Sequence, residues 1–271
     1  MRISDQHIHS SCSQDSRTPM RVMAEAARDA GMHMVCFTDH IEMDDPYTGR
    51  VGPNWADRWP VMLAARKELD AAPPRGIEVR LGMELGAPNH LPELAAQAAA
   101  APELDLVIGS LHNLRNVEDF YFYKYADEAD CARLNRAYLA ELLEIAALPC
   151  FDVMAHVGYT VRYMSKAGFS KPIGPEEYGE ELTAIFRTLI RNGRGIEVNT
   201  SGLRQLGYTY PNAEILSLYR SLGGEIITVG SDGHRPEDAG AGILQARELL
   251  RTLGFRYCTE FKKRQPEFLP L

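Results

Sequence analysis

Six of the eight histidines in this 271-residue chain stand at or just past the end of an apolar run. His7 and His9 lie in RISDQHIH, His40 closes MVCFTDH, His112 closes LVIGSLH, His156 closes FDVMAH, and His234 follows ITVGSDG. Imidazole is the commonest metal ligand in proteins. Residues i and i+2 of a strand point to one side, so the rings of His7 and His9, about 7 Å apart at the backbone, can tilt onto one ion. Three carboxylates accompany the histidines. Asp15 sits in the loop SSCSQDS, where it is either a turn or cap residue or a ligand. Glu84 is an acid inside the apolar run RLGMELG; a lone buried carboxylate is costly, so it needs a salt-bridge partner or a metal. Asp232 pairs with His234 across one residue.

Nine donors result: His7, His9, Asp15, His40, Glu84, His112, His156, Asp232 and His234. A catalytic zinc uses three protein ligands and an open position, so nine donors are too many for one ion. They fit two or three, provided a carboxylate such as Glu84 bridges. An all-nitrogen-and-oxygen set suits zinc, manganese or iron and disfavours an iron–sulfur cluster. His33 precedes its apolar run, at the other end from the remaining histidines, and is expected to be structural. His90, in GAPNHLPE, is a candidate substrate contact outside the ligand set.

The elements that must position these donors alternate. Strand candidates span about 2–8, 33–38, 77–84, 104–111, 151–157, 194–199 and 225–231, most of them apolar on both parities, as in strands buried on both faces of a parallel sheet. Helical patterns fill the gaps: TPMRVMAEAARDAG, ADRWPVMLAARKELD (interrupted early by Pro60), LPELAAQAAAAPE ended by Pro102, EADCARLNRAYLAELLEIAAL, GPEEYGEELTAIFRTLIRNG, YPNAEILSLYRSLGG and RPEDAGAGILQARELLRTLG. Such alternation implies a parallel α/β architecture. In an open sheet, seven strand ends would spread over roughly 30 Å; in a barrel they share one mouth, where loops build the site. Eight of the nine donors fall at those ends and Asp15 lies in the loop after the first, which favours a closed or nearly closed barrel. Residues 1–271 read as one domain.

Composition narrows the partners. Hydrophobic residues make up 45% and charged residues 24%, a globular mix. Acidic residues outnumber basic ones by 37 to 29, giving a net charge of −8, against the basic field of nucleic-acid binders. No apolar run approaches the roughly 18–20 residues needed to span a bilayer. The start, MRISDQHIHS, lacks the layout of a secretion signal and is expected to be the mature terminus of a cytoplasmic protein. Five scattered cysteines without a CxxC read as reduced thiols.

The motif set HxH, loop Asp15, TDH, strand-end Glu84, SLH, AH and SDGH resembles, in order, that of the PHP superfamily (polymerase and histidinol phosphatase). AHVGYTVRY, GIEVNTSGLRQLGYTYPNAEIL, GGEIITVGSDGHRPEDAG and FRYCTEFKKRQPEF resemble its histidinol-phosphatase branch. The resemblance covers essentially the whole chain; Gly233 stands where alanine is commoner in that branch. It implies a distorted (β/α)7 TIM-like barrel and three divalent ions held by residues matching the nine donors, with Glu84 as a bridge. It also implies a phosphate site at Arg162 and Arg204, each of which, by itself, reads as a loop cation.

The implied reaction is hydrolysis of L-histidinol phosphate to L-histidinol and phosphate. Hydroxide formed at the cations would attack phosphorus in line, with metals and arginines offsetting charge on the equatorial oxygens. Asp39, Asp232 or a water could protonate the leaving group. Glu42, Asp44 and Asp45 could form an acidic rim for the substrate ammonium, or a solvated loop. The alternatives are another small phosphomonoester or phosphodiester, a nucleic-acid-processing hydrolase, and a non-catalytic metal-binding protein.

Overall fold

The structure is a computed structural model and describes residues 2–45, 52–169 and 172–271. Among these, the elements run β1 (Ser4–Ile8), α1 (Met20–Asp29), β2 (Met34–Phe37), β3 (His40–Glu42), α2 (Trp55–Ala71), β4 (Glu78–Gly86), α3 (Pro92–Ala99), β5 (Leu106–Ser110) and α4 (Glu128–Ala147). They continue with β6 (Val153–Met154), α5 (Val161–Lys166), α6 (Pro175–Arg191), β7 (Gly195–Asn199), α7 (Ser201–Leu206), α8 (Ala213–Ser221), β8 (Ile227–Gly230), α9 (Ile243–Thr252), β9 (Tyr257–Lys262) and β10 (Gln265–Pro270).

All seven strand candidates are present and pair in parallel in the order β1-β2-β4-β5-β6-β7-β8. The ends of that order meet. Ile8 bridges Gly233 in parallel, His9 N–H donates to the Gly233 carbonyl at 2.9 Å, and Asp232 N–H to that of His7 at 2.7 Å. The sheet is therefore a nearly closed seven-stranded barrel, and closure is made by the residues that carry the first and last histidine motifs. An extra strand, β3, was not expected. It continues β2 after a break at Thr38–Asp39 and pairs with β4 so that His40 faces Glu84 and Glu42 faces Gly86.

Two apolar compartments hold the barrel. Inside it, Met34, Cys36, Leu106, Ile108, Val153 and Ala155 pack with Phe261. Outside, the helices cover the other strand face. α1 buries Met20, Met23, Ala24 and Ala27, the i, i+3, i+4, i+7 spacing of one helical face. α4 buries Leu134, Tyr138, Leu139, Leu142 and Ile145 and is capped by the Asp127 carboxylate, which accepts from Asp130 N–H at 2.8 Å. At about 1.5–3 kcal/mol for each large apolar side chain, these faces dominate the packing energy.

Two expectations change, and a segment for which the sequence pattern indicated no element forms a hairpin. Pro60 does not interrupt α2, which runs through it. The last helix begins at Ile243, because Gly242 with φ 77° precedes it. The segment FRYCTEFKKRQPEF is an antiparallel hairpin, β9–β10, whose Phe261 and Thr259 reach the bottom of the barrel. Phe261 N–H donates to Gln6 Oε1 at 3.2 Å, and Ile227 N–H to Thr259 Oγ1 at 3.1 Å.

Candidate metal centre

His7 and His9 come off the end of β1, where the register with β2 shifts between Asp5 and Ile8. Their Nε2 atoms lie 3.0 Å apart, and both rings are sealed from solvent. Glu84 occupies the middle of the cluster and is 1% exposed. Its Oε2 lies 3.2 Å from His7 Nε2, 3.5 Å from His9 Nε2 and 3.2 Å from His40 Nδ1. Its Oε1 lies 3.1 Å from His112 Nε2 and 2.9 Å from His156 Nε2. One carboxylate thus faces five imidazoles, divided between its two oxygens. Asp232 Oδ1 is 3.2 Å from His9 Nε2, and Asp15 Oδ2 is 2.9 Å from His234 Nε2 and 3.5 Å from His40 Nε2. The nine donors named from sequence are together.

Among the described residues, three overlapping groups have ligand atoms within 4.8 Å of one another: His7, His9 and Asp232; His40, Glu84 and His112; His9, His40 and His234. His40 Nδ1 and His234 Nε2 face carboxylate oxygens at 3.2 and 2.9 Å, but no aligned hydrogen bond reaches either buried nitrogen. Orphaned imidazole nitrogens beside carboxylates, with no thiolate in the set, fit divalent transition metals. Asp232 adopts φ 53°, a strained backbone for a non-glycine residue of the kind that gathers at functional sites.

The electrostatics tell the same story. Burial alone would lower His7, but the carboxylates of Glu197, Glu84 and Asp232 hold it well above the ordinary imidazole value. His9 goes the other way, to about 3, through burial and the neighbouring His234 and His40. Burial would raise Glu84 and Asp232; the surrounding imidazoles hold both well below the usual carboxylate range. Protons in this cluster stand where cations are favoured.

Behind the donors lies a ring of carboxylates that the sequence did not single out for this position. Glu197 on β7 places Oε1 2.6 Å from His7 Nδ1, and its Oε2 accepts from His156 N–H at 3.1 Å. Asp39, one of the side chains considered for protonating the leaving group, is buried behind the site. It accepts from Ser10 N–H at 2.6 Å, Ser10 Oγ at 2.8 Å and Ser13 Oγ at 2.6 Å, while Ser13 Oγ lies 3.1 Å from His9 Nδ1. Glu42, expected on an acidic rim, is 4% exposed against His40 and His112 and forms part of the cavity wall. Partners of this kind fix the tautomer and orientation of ligand histidines.

The donors open on a cavity of about 320 Å³, lined also by Asp45, Asn113, Asp119, Tyr121, Tyr159, Arg162, Tyr163 and Arg204. Both arginines sit on short helices rather than loops, Arg162 on α5 and Arg204 on α7. The Arg162 guanidinium lies over the rings of Tyr163 (5.4 Å) and Tyr159 (5.9 Å), and its Nε is buried without a hydrogen-bond partner. Arg204 donates to the Ser231 carbonyl at 3.0 Å and pairs with Asp238 at 3.2 Å. Of the side chains considered as the leaving-group acid, Asp232 lines this cavity and Asp39 does not. His33 is held by the Ile3 carbonyl at 2.8 Å and Glu260 at 3.3 Å. His90 is turned to Glu141 at 2.8 Å and is not part of the cavity wall. No helix among the described residues is long and apolar enough to cross a membrane.

Comparison with known proteins places this geometry. The histidinol-phosphatase of Lactococcus lactis subsp. lactis (strain IL1403) is 27% identical over 267 residues, covering 96% of this chain and 95% of its own. The probable histidinol-phosphatase of Thermotoga maritima is 24% identical over 253 residues, 93% of each. Among solved structures, the histidinol phosphate phosphatase of Lactococcus lactis, complexed with zinc, L-histidinol and phosphate, superposes with a TM-score of 0.79. It is 25% identical and covers 98% of this chain and 99% of its own. The putative histidinol phosphatase of Listeria monocytogenes, 17% identical, shares the fold with a TM-score of 0.67 over 89% of this chain and 99% of its own. Residues 5–201 match the PHP domain, and the chain belongs to the PHP domain family.

Proposed function

We propose that this protein is a metal-dependent phosphomonoesterase that hydrolyses L-histidinol phosphate to L-histidinol and phosphate, in histidine biosynthesis. The carrying observation is the gathering of the nine donors into one cluster, with five imidazoles on Glu84, beside a cavity that Arg162 and Arg204 also line. The zinc, L-histidinol and phosphate in the Lactococcus lactis relative support the substrate and the metal. We read residues 1–271 as one catalytic unit acting in the cytoplasm on a small metabolite, with no nucleic acid or membrane as partner.

His7, His9 and Asp232 would hold one ion; His40, Glu84 and His112 a second; His234 and Asp15 would supply a third, with His156 joining at Glu84. Zinc leads, with manganese and iron as the other candidates. When bound, the ions would acidify water and neutralise phosphate charge. The chain's own residues do the rest. Arg162 and Arg204 offer guanidinium forks to the phosphate oxygens. Asp45 and Asp119 give the cavity negative charge for the substrate ammonium, and Tyr121, Tyr159 and Tyr163 give aromatic surface for its imidazole. Asp232, held well below the usual carboxylate range, would serve as a ligand, and the leaving alkoxide would take its proton from water in the cavity.

Steady-state rates on L-histidinol phosphate, aryl phosphomonoesters and aryl phosphodiesters, with elemental analysis of the same sample, test this. The expected result is highest kcat/KM on L-histidinol phosphate, with two or three bound ions. A preference for diesters, or metal-loaded protein without hydrolytic activity, would overturn it.

A further inference from the structure

Glu42 lies outside the nine donors and is fixed from several sides. Its backbone N–H donates to Asn54 Oδ1 at 2.9 Å, and its carbonyl accepts from Asn54 N–H at 3.0 Å. The β3–β4 register sets it against Gly86, and a Cβ at position 86 would overlap its carboxylate. Glycine at 86 is therefore the condition for Glu42 to lie where it does. Its Oε1 is 3.0 Å from His112 Nδ1 and 3.0 Å from His40 Nδ1. Its Oε2 is buried with no hydrogen-bond partner.

A carboxylate at Nδ1 holds the proton on that nitrogen and leaves Nε2 as the ligating atom. For His112 that Nε2 is the nitrogen 3.1 Å from Glu84 Oε1. One oxygen of Glu42 is hydrogen-bonded to His112, past β5, and lies 3.0 Å from Nδ1 of His40, on β3, so the two rings share one carboxylate neighbour. Asp39 and Glu197 likewise each bear on two donor residues, but Glu42 is the one of the three that also lines the cavity.

We propose that Glu42 is a positioning residue that sets His40 and His112 together and so controls the affinity of the ion that these histidines and Glu84 would hold. The inference rests on the metal-centre reading above. To test it, wild-type, Glu42→Gln and Glu42→Asp proteins are equilibrated in zinc buffers of graded free concentration, and bound zinc is counted by elemental analysis. Hydrolysis of L-histidinol phosphate and melting of the zinc-free proteins are followed in parallel.

In Glu42→Gln, one zinc-binding step is expected to weaken about 10–100-fold, while the other steps stay at wild-type affinity. kcat should recover when free zinc is raised, KM should hold, and Glu42→Asp should fall between the two proteins. Unchanged zinc steps in Glu42→Gln would overturn the proposal. So would a rise in KM alone, which would make Glu42 a substrate contact, or an equal loss at every zinc step with a lowered zinc-free melting temperature, which would make it merely structural. A wild-type protein that holds no zinc would sink the metal-centre reading itself, and this proposal with it.

Discussion

Glu197 Oε1 lies 2.6 Å from His7 Nδ1, with both side chains fully sealed from solvent. The pair joins β7 to β1 across the closure of the barrel, and the second oxygen of Glu197 holds the backbone of His156. In the metal-free protein His7 is held above its ordinary value, first against its own burial and then by Glu197, Glu84 and Asp232. Removing one partner of a buried ion pair costs about 3–5 kcal/mol. Glu197→Ala is therefore expected to destabilise the metal-free fold by about that amount, read by urea denaturation after chelator treatment. An unfolding midpoint equal to wild type would show that the pair does not carry this load.

Arg162 and Arg204 divide differently between structure and substrate. Arg162 has an unpartnered Nε and stacks on tyrosines, whereas Arg204 already ties down the Ser231 carbonyl and Asp238. Arg162→Ala is expected to lower kcat/KM for L-histidinol phosphate by about 10²–10³-fold, the scale for loss of one donor to a developing oxyanion, with melting unchanged. Arg204→Ala should lose similar activity and also some thermal stability. Equal melting shifts in the two variants, or wild-type kinetics in Arg162→Ala, would contradict the division.

The histidines and Asp232 were legible because each stands where an apolar run ends, Glu84 because it is an acid in a run that has no other, and Asp15, in a polar loop, only through its place in the motif order. Glu197 carries the same signal, a lone acid in GIEVN, but it lies in mid-strand and its partner is 190 residues away. Glu42 was misplaced because β3 has three residues, too few for alternation to show. The six-residue helices α5 and α7 fall below the length at which a 3.6-residue period is visible. The hairpin β9–β10 turns through Lys263 and Arg264 at φ 51° and 63°, where such turns prefer Asn-Gly. Tertiary contacts hold it instead: Lys263 N–H donates to Asp105 Oδ1 at 3.0 Å and Arg264 N–H to the Asp105 carbonyl at 3.0 Å.

Gly230, the last residue of β8, should be as sensitive as a ligand although it binds nothing. A Cβ there would overlap His7 Cβ and come 2.6 Å from Glu197 Oε1. Neither neighbour can yield without moving a donor or its carboxylate partner. Gly230→Ala is expected to reduce bound zinc and activity together and to lower the melting temperature, whereas Gly193→Ser, at an open turn with nothing within 4 Å, should change melting without changing zinc content. Full zinc content in purified Gly230→Ala would refute the close packing behind His7.

Loading the metal should release protons, and His112 fixes the direction. Its burial would lower the imidazole, but Glu42 and Glu84 outweigh it and push it up to about 10 in the metal-free fold. A ligating imidazole must be neutral at the bound nitrogen, so metal binding between the ordinary value near 6.5 and about 10 drives off a proton that the metal-free protein keeps. The sign for stability follows from linkage. A folded-state value raised above the unfolded one stabilises fully below the unfolded value, and that share is lost as pH rises through the folded value. His112 should thus help the metal-free fold at pH 6 and progressively less toward pH 10, while a metal-loaded protein no longer depends on that proton. The melting gap between zinc-loaded and chelator-treated protein is expected to widen from pH 7 to pH 9.5, and zinc addition at pH 8 in weak buffer should acidify the solution. Proton uptake on zinc addition, or a gap that narrows over that range, would mean that His112 is neutral before the metal arrives and that Glu42 and Glu84 do not charge it.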